Sequence, residues 1–164
     1  MPTPHPLTTW QGTIQADWVD YNGHLRDAFY LLIFSYATDA LMDRIGLDSH
    51  GRKRDGFSLF TLECHLNYLH EVKQDARVDV RTQLLACDSK RLHLHHGLYP
   101  PGSNELLAAS EQMLLHVTLE GPRSAPFADT TREHLNAIFA KQAALPRPVH
   151  VGRVIALPPI ADTR

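Results

Sequence analysis

Asp20, Asn22, Gly23, His24 and Asp27 fall within one short polar segment that runs directly into a strongly apolar helical pattern. A carboxylate can act as a general base or as a nucleophile, and an imidazole can orient or move a proton. A glycine beside them lets backbone approach a ligand closely or take a positive φ. At a helix start, such groups stand next to backbone N–H donors without intrahelical partners, which favour anions and can polarise a carbonyl. The segment reads as an enzyme site. The residues alone leave a second reading of Asp20 open, as a helix cap or Asx turn that only shapes the loop.

The elements that must position this segment follow from periodicity. Residues 18–46 hold the loop and a helix from Leu25 or Asp27 to Ile45, in which Phe29, Leu32, Ile33, Tyr36, Ala37, Ala40 and Leu41 recur at three and four residues. Gly46 fits a C-terminal cap. A helix this apolar needs a surface wrapped around it. Residues 9–16 give a strand before it, and 47–56 read as a polar, basic loop after it. In 57–68, Phe60, Leu62, Cys64, Leu66 and Tyr68 alternate with Thr61, Glu63, His65 and Asn67. Further strands are expected over 75–87, 90–99 and 106–120, the last with helix as a competitor because of its leucine and alanine content. Thr130 and Glu133 have the form of a capping box opening a short helix to about Ala144. A proline-rich tail follows from about 145, with one short edge strand expected over 149–155. The pattern predicts an α+β fold, a curved antiparallel sheet wrapped around a long central helix.

The chain of 164 residues fits a single domain, and a net charge of −2 offers no broad surface for nucleic acid or membrane. Cys64 and Cys87 form no CxxC pair and are expected as reduced core residues. The N-terminus lacks the basic and apolar regions of a secretory signal, and the longest apolar run, 28–34, is too short to span a bilayer, so a soluble cytoplasmic protein is expected. Eleven histidines invite a metal, but His93, His95 and His96 have no acidic or cysteine ligand at a fixed offset, and none is expected.

Asp20-Tyr21-Asn22-Gly23-His24-Leu25 resembles the D-x-x-G-H-V/I segment of the hotdog-fold thioesterases related to 4-hydroxybenzoyl-CoA thioesterase. The similarity continues through Phe29-Tyr30 and the helix, through the strands of 63–99 and into 106–127, covering roughly residues 9–139. Within that family the chain resembles the betainyl-CoA thioesterases of carnitine degradation. The resemblance implies a hotdog fold and hydrolysis of an acyl-CoA thioester, with no cofactor beyond the CoA carried by the substrate. It implies a homodimer or homotetramer with clefts between chains. It places the catalytic carboxylate at Asp20, as base or as nucleophile, with Gly23 and Asn22 shaping the loop and His24 orienting it. Backbone N–H groups of 23–25 would be the oxyanion donors. Glu63, His65 and Asn67 would lie near the cleft, one of them a partner of Asp20, or else form a solvated strand face. Lys90 and Arg91 would meet CoA phosphates, and Arg52, Lys53 and Arg54 are a further candidate for that contact.

Trp18, Tyr21, Phe29, Tyr30, Phe57 and Tyr68 supply aromatic surface suited to a trimethylammonium group, which offers no N–H donor and is held by cation–π and dispersion contacts. Glu63 or Asp17 could add a negative charge. Core packing explains the same aromatics. Three alternatives stand beside a betainyl-CoA thioesterase: a general short-chain, medium-chain or aromatic acyl-CoA thioesterase, a hotdog module that only binds acyl-CoA, and an enoyl-CoA hydratase, whose D-x-N-P-x-H segment DYNGH echoes without its proline or spacing.

Overall fold

The computed structural model describes residues 3–160. Helix α1 (Asp27–Arg44) buries Tyr30, Ile33, Phe34, Ala37, Thr38, Leu41 and Met42, since side chains three and four apart share a face. It ends where Gly46 takes a φ of 85° and the Leu47 N–H returns to the Met42 carbonyl at 2.9 Å.

Strands β1 (Leu7–Thr13), β2 (Phe57–Tyr68), β3 (Arg77–Cys87), β4 (Arg91–Tyr99) and β5 (Ala108–Thr118) form one antiparallel sheet in the order β1-β3-β4-β5-β2. The short β6 (Arg123–Ser124) pairs with the end of β5. The sheet curves over α1, as the periodicity predicts. Ile33 and Phe34 pack with Val78, Val80 and Leu98 near one end of the helix, and Leu41 packs with Leu92, Leu94 and Leu114 near the other. Helix α3 (Asp129–Gln142) adds Leu135 to the second cluster, and its buried Gln142 side chain bonds the Leu84 N–H and the Thr82 carbonyl, completing the β3 edge that β1 leaves open. Among the described residues no helix is long and apolar enough to cross a membrane.

Several expectations need correction. Residues 47–56 hold a helix, α2 (Ser49–Asp55): Asp48 accepts from the Gly51 N–H at 2.7 Å, and Gly56 closes it in the left-handed region. A register shift between Thr61 and Glu63 moves Phe60 off the face of Cys64, Leu66 and Tyr68, so strict alternation fails across Leu62. The strand expected over 106–120 does form, as β5, shortened to Ala108–Thr118. The capping box is not made: α3 begins at Asp129 after Ala128, with no side-chain cap bond. No strand forms over 149–155. Cys64 and Cys87 are both free, but exposed rather than buried in the core.

One polar residue sits deep in the core between sheet and helix. His96 is fully buried, its Nδ1 2.7 Å from Thr82 Oγ1 and its Nε2 3.0 Å from Thr38 Oγ1, with Phe34 stacked on the ring. Burial lowers its pKa to about 3, and burial also lowers that of His95 on the other sheet face, to about 4. Both are neutral in the folded chain, whereas in the unfolded chain they take up protons near pH 6.5. Their contribution is therefore complete above about pH 6.5 and is lost as pH falls toward 4, by on the order of 1 kcal/mol per pH unit for each. Denaturant melts at pH 7.5 and 5 should show this loss, and His96→Gln should reduce its slope; a stability independent of pH over that interval would contradict the assignment.

Candidate active site

The segment joining β1 to α1 is folded by Asp20. Its Oδ1 accepts the Asn22 N–H at 2.9 Å and the His24 N–H at 3.1 Å, while the Asp20 carbonyl accepts the Gly23 N–H at 3.0 Å. Gly23 sits at φ 75°, a left-handed conformation that a side chain disfavours. The loop is then laid against the segment after β2: the Leu25 N–H donates to Val72 O at 2.7 Å, and the Gln74 N–H to Gly23 O at 3.0 Å. The backbone donors of His24 and Asn22 hold the Asp20 carboxyl below the usual carboxylate range against the opposing effect of burial, so it is ionised at neutral pH. Among the described residues Asp20 Oδ2 has no hydrogen bond. The Asx turn and a free carboxylate oxygen therefore coexist in one side chain.

Asp20 borders a cleft of about 340 Å³, shared with Asn22, His24, Asp27, Tyr30 and Tyr68 and closed on one side by residues 69–71. The Tyr30 and Tyr68 rings meet edge to face, 5.0 Å between centroids. Tyr68 donates from its hydroxyl to Asp27 O at 3.2 Å, which ties the end of β2 to the start of α1. Burial pushes both phenols up, so both remain neutral at physiological pH. His24 Nε2 lies 3.3 Å from Glu71 Oε2, and its N–H and carbonyl both serve the loop, an orienting arrangement. Asp20, Asp27 and Glu71 make the cleft rich in carboxylates.

The remaining candidates fall elsewhere. Trp18 is buried, stacked on Phe29 at 6.2 Å and near Trp10 at 6.5 Å; both Trp18 and Phe29 belong to the core rather than to the cleft lining. Tyr21 is 94% exposed at the loop tip, because the Asx turn points it outward. Glu63, His65 and Asn67 do share a face, but it is the outer one, in register with Met113, Glu111 and Ala109, whereas the cleft-lining Tyr68 points to the helix side. Lys90 and Arg91 sit in the turn at the opposite end of β4: Arg91 is paired with Asp88 at 2.6 Å, and Lys90 donates to Ser124 Oγ at 3.3 Å. The Gly23, His24 and Leu25 N–H groups are all spent on Asp20 and Val72, which removes them as oxyanion donors. The Asp27 N–H, at the first position of α1, makes no hydrogen bond among the described residues.

Glu71 and His70 were missed as lining residues. The signal for them was weak, two polar residues in the connection after β2, and only the pairing of His24 with Lys73 across the two loops brings them to the cleft.

Comparison with known proteins agrees with this architecture. The chain is 66% identical to a betainyl-CoA thioesterase of Pseudomonas aeruginosa, over 94% of this chain and 97% of that protein. It is 40% identical to an L-carnitine dehydrogenase/betainyl-CoA thioesterase of Agrobacterium fabrum, over 97% of this chain but only 32% of that longer protein. A crystal structure from Pseudomonas putida KT2440 superposes with a TM-score of 0.83 at 59% identity, covering 96% of this chain and 99% of that one. A Staphylococcus aureus protein in complex with CoA superposes with a TM-score of 0.88 at 28% identity, with the same coverage. The model of the thioesterase-like superfamily matches residues 14–135, and with the sheet wrapped on α1 and the loop built by Asp20, the chain belongs to that hotdog-fold superfamily.

Proposed function

We propose that the protein hydrolyses an acyl-CoA thioester to the free acid and CoA, with betainyl-CoA as its substrate and Asp20 as the catalytic carboxylate. The observation that carries this reading is the divided role of Asp20, a cleft-lining residue: Oδ1 is fixed by two backbone N–H groups, leaving Oδ2 of the ionised carboxylate without a hydrogen bond among the described residues. That oxygen can take a proton from water as the water attacks the thioester carbonyl, or attack the carbonyl itself to give a mixed anhydride that water then opens. In both routes the C–S bond breaks and CoA leaves as thiolate. The free Asp27 N–H, at the positive end of α1, is suited to the oxyanion of the tetrahedral state.

The acyl group follows from charge and shape. A trimethylammonium cation fits a cleft in which Tyr68, half exposed and backed edge to face by the buried Tyr30, supplies aromatic surface and Asp27 and Glu71 supply negative charge. These two carboxylates, and not Glu63 or Asp17, border the cleft. The names of the Pseudomonas aeruginosa and Agrobacterium fabrum relatives support the same substrate. The chain works as a homodimer paired through β2, an edge strand whose Phe60 and Leu62 stand exposed.

Asp20→Asn keeps an acceptor for the Asn22 and His24 N–H groups but removes the base or nucleophile. Turnover of betainyl-CoA, followed as CoA release with a thiol reagent, should fall at least roughly a hundredfold with the melting temperature nearly unchanged. Asp20→Ala should lose activity and melting temperature together. An active Asp20→Asn variant would end the assignment, and hydration of crotonyl-CoA by the intact protein would favour the hydratase instead.

Tyr68→Leu removes an aromatic face. Its KM for betainyl-CoA should rise roughly tenfold, with a smaller change for uncharged butyryl-CoA. Equal changes for both acyl groups would show that Tyr68 serves packing and not recognition of the cation.

A further inference from the structure

On the outer face of the sheet, Gln83, His95, Glu111 and His65 stand in register across β3, β4, β5 and β2, one residue from each strand. Residues paired across neighbouring strands share a face, so these four side chains form a single row at right angles to the strands. The chain after α3 follows that row. Gln83 Nε2 donates to Pro146 O at 3.1 Å, and the Gly152 N–H donates to Glu111 Oε1 at 2.9 Å and Oε2 at 3.0 Å. His93 Nε2 lies 3.1 Å from the same Glu111 carboxylate and fixes it from the neighbouring strand. The segment thus travels from β3 to β5, toward the β2 edge, and Glu111 holds it there. The next member of the row is His65 on β2, the edge strand itself.

Beyond this anchor the chain changes character. Val154, Ile155, Leu157 and Ile160 are 82–97% exposed, and residues 153–160 form no regular structure. Four large aliphatic side chains held in water at the end of a strap that is itself hydrogen-bonded are a surface awaiting a partner. One strand spacing, about 4.8 Å, separates β5 from β2, whereas eight extended residues reach roughly 26 Å. The segment is therefore several times longer than its own sheet needs. The edge it heads for carries exposed Phe60 and Leu62.

We propose that residues 153–160 cross the β2 edge and lie on the outer sheet face of a second copy of this chain, so that two tails strap the dimer reciprocally. The inference rests on the β2 pairing of the proposed homodimer. A twofold interface gives each tail an identical receiving surface, with the partner's Phe60 as part of it. The arm also explains why the anchor is a carboxylate clamped by His93: a strap that carries load to a neighbouring subunit needs a fixed point before it leaves its own sheet.

The test uses the full chain with a benzophenone amino acid at position 157, in mixed dimers of isotopically light and heavy protein. Photolysis should join light to heavy chains, with the attachment on the outer face of β2 or β5. In parallel, the full-length Ile155→Asp/Leu157→Asp variant should raise the dimer dissociation constant at least about tenfold in sedimentation equilibrium, since tail residues that touch no second subunit would leave it unchanged. A dimer that cross-links only within one chain, or whose dissociation constant is unmoved by the double substitution, overturns the strap and leaves the β2 pairing standing. A full-length chain that stays monomeric at all concentrations overturns the pairing and the strap with it.

Discussion

Asp20 Oδ1 accepts two backbone N–H groups at once, and the site depends on that clamp. Without it, the segment between β1 and α1 has no reason to turn back on itself at Gly23, and the His24 N–H has no acceptor. With it, the loop presents its backbone to residues 72–74 and aligns the start of α1. The same clamp lowers the carboxyl pKa, because backbone donors stabilise the ionised form. One carboxylate oxygen is thus committed to the turn, while the other makes no hydrogen bond among the described residues. In the proposed reaction the turn immobilises the carboxylate, and ionisation keeps it ready at neutral pH.

The surroundings follow from burying α1. A helix with Ile33, Phe34, Ala37 and Leu41 on one side requires the curved sheet, and the sheet in turn brings the end of β2 beside the N-terminus of the helix. Tyr68 fastens that junction through Asp27 O. The cleft is where three chain segments meet, and its carboxylates collect there because each is exposed at a loop or helix start. An acidic, aromatic cleft repels an anionic acyl group and suits a cationic one, so in the proposed reaction one local arrangement bears on both reactivity and acyl preference.

Much of this was legible in the sequence. The apolar stripe of α1, the alternation of β2 beyond Leu62 and the D-x-x-G-H segment are local patterns, and local patterns survive folding. The failures have physical causes. Helix α2 hides behind Gly51 and four charged residues, since its stability comes from the Asp48 and Gly56 caps rather than from an apolar stripe. One bulge at Leu62 moves Phe60 to the other face. Glu63, His65 and Asn67 could be grouped on one face, but which face looks toward the helix is decided by pairing with β5. Trp18 and Phe29 have the composition of a binding surface and the location of a core, a difference only packing reveals. The commitment of the Gly23 to Leu25 N–H groups depends on Val72, far along the chain, and no spacing encodes it.

The central claim is that a cationic acyl thioester binds with its carbonyl at Asp20 Oδ2. The most direct measurement is a crystal structure of the inactive Asp20→Asn variant with betainyl-CoA. The thioester carbonyl carbon should lie within about 3.5 Å of the residue 20 side chain, or one water away, with the trimethylammonium group against Tyr30 and Tyr68. A thioester bound beyond the reach of residue 20 and a bridging water, or an acyl group turned away from both tyrosines, would contradict it.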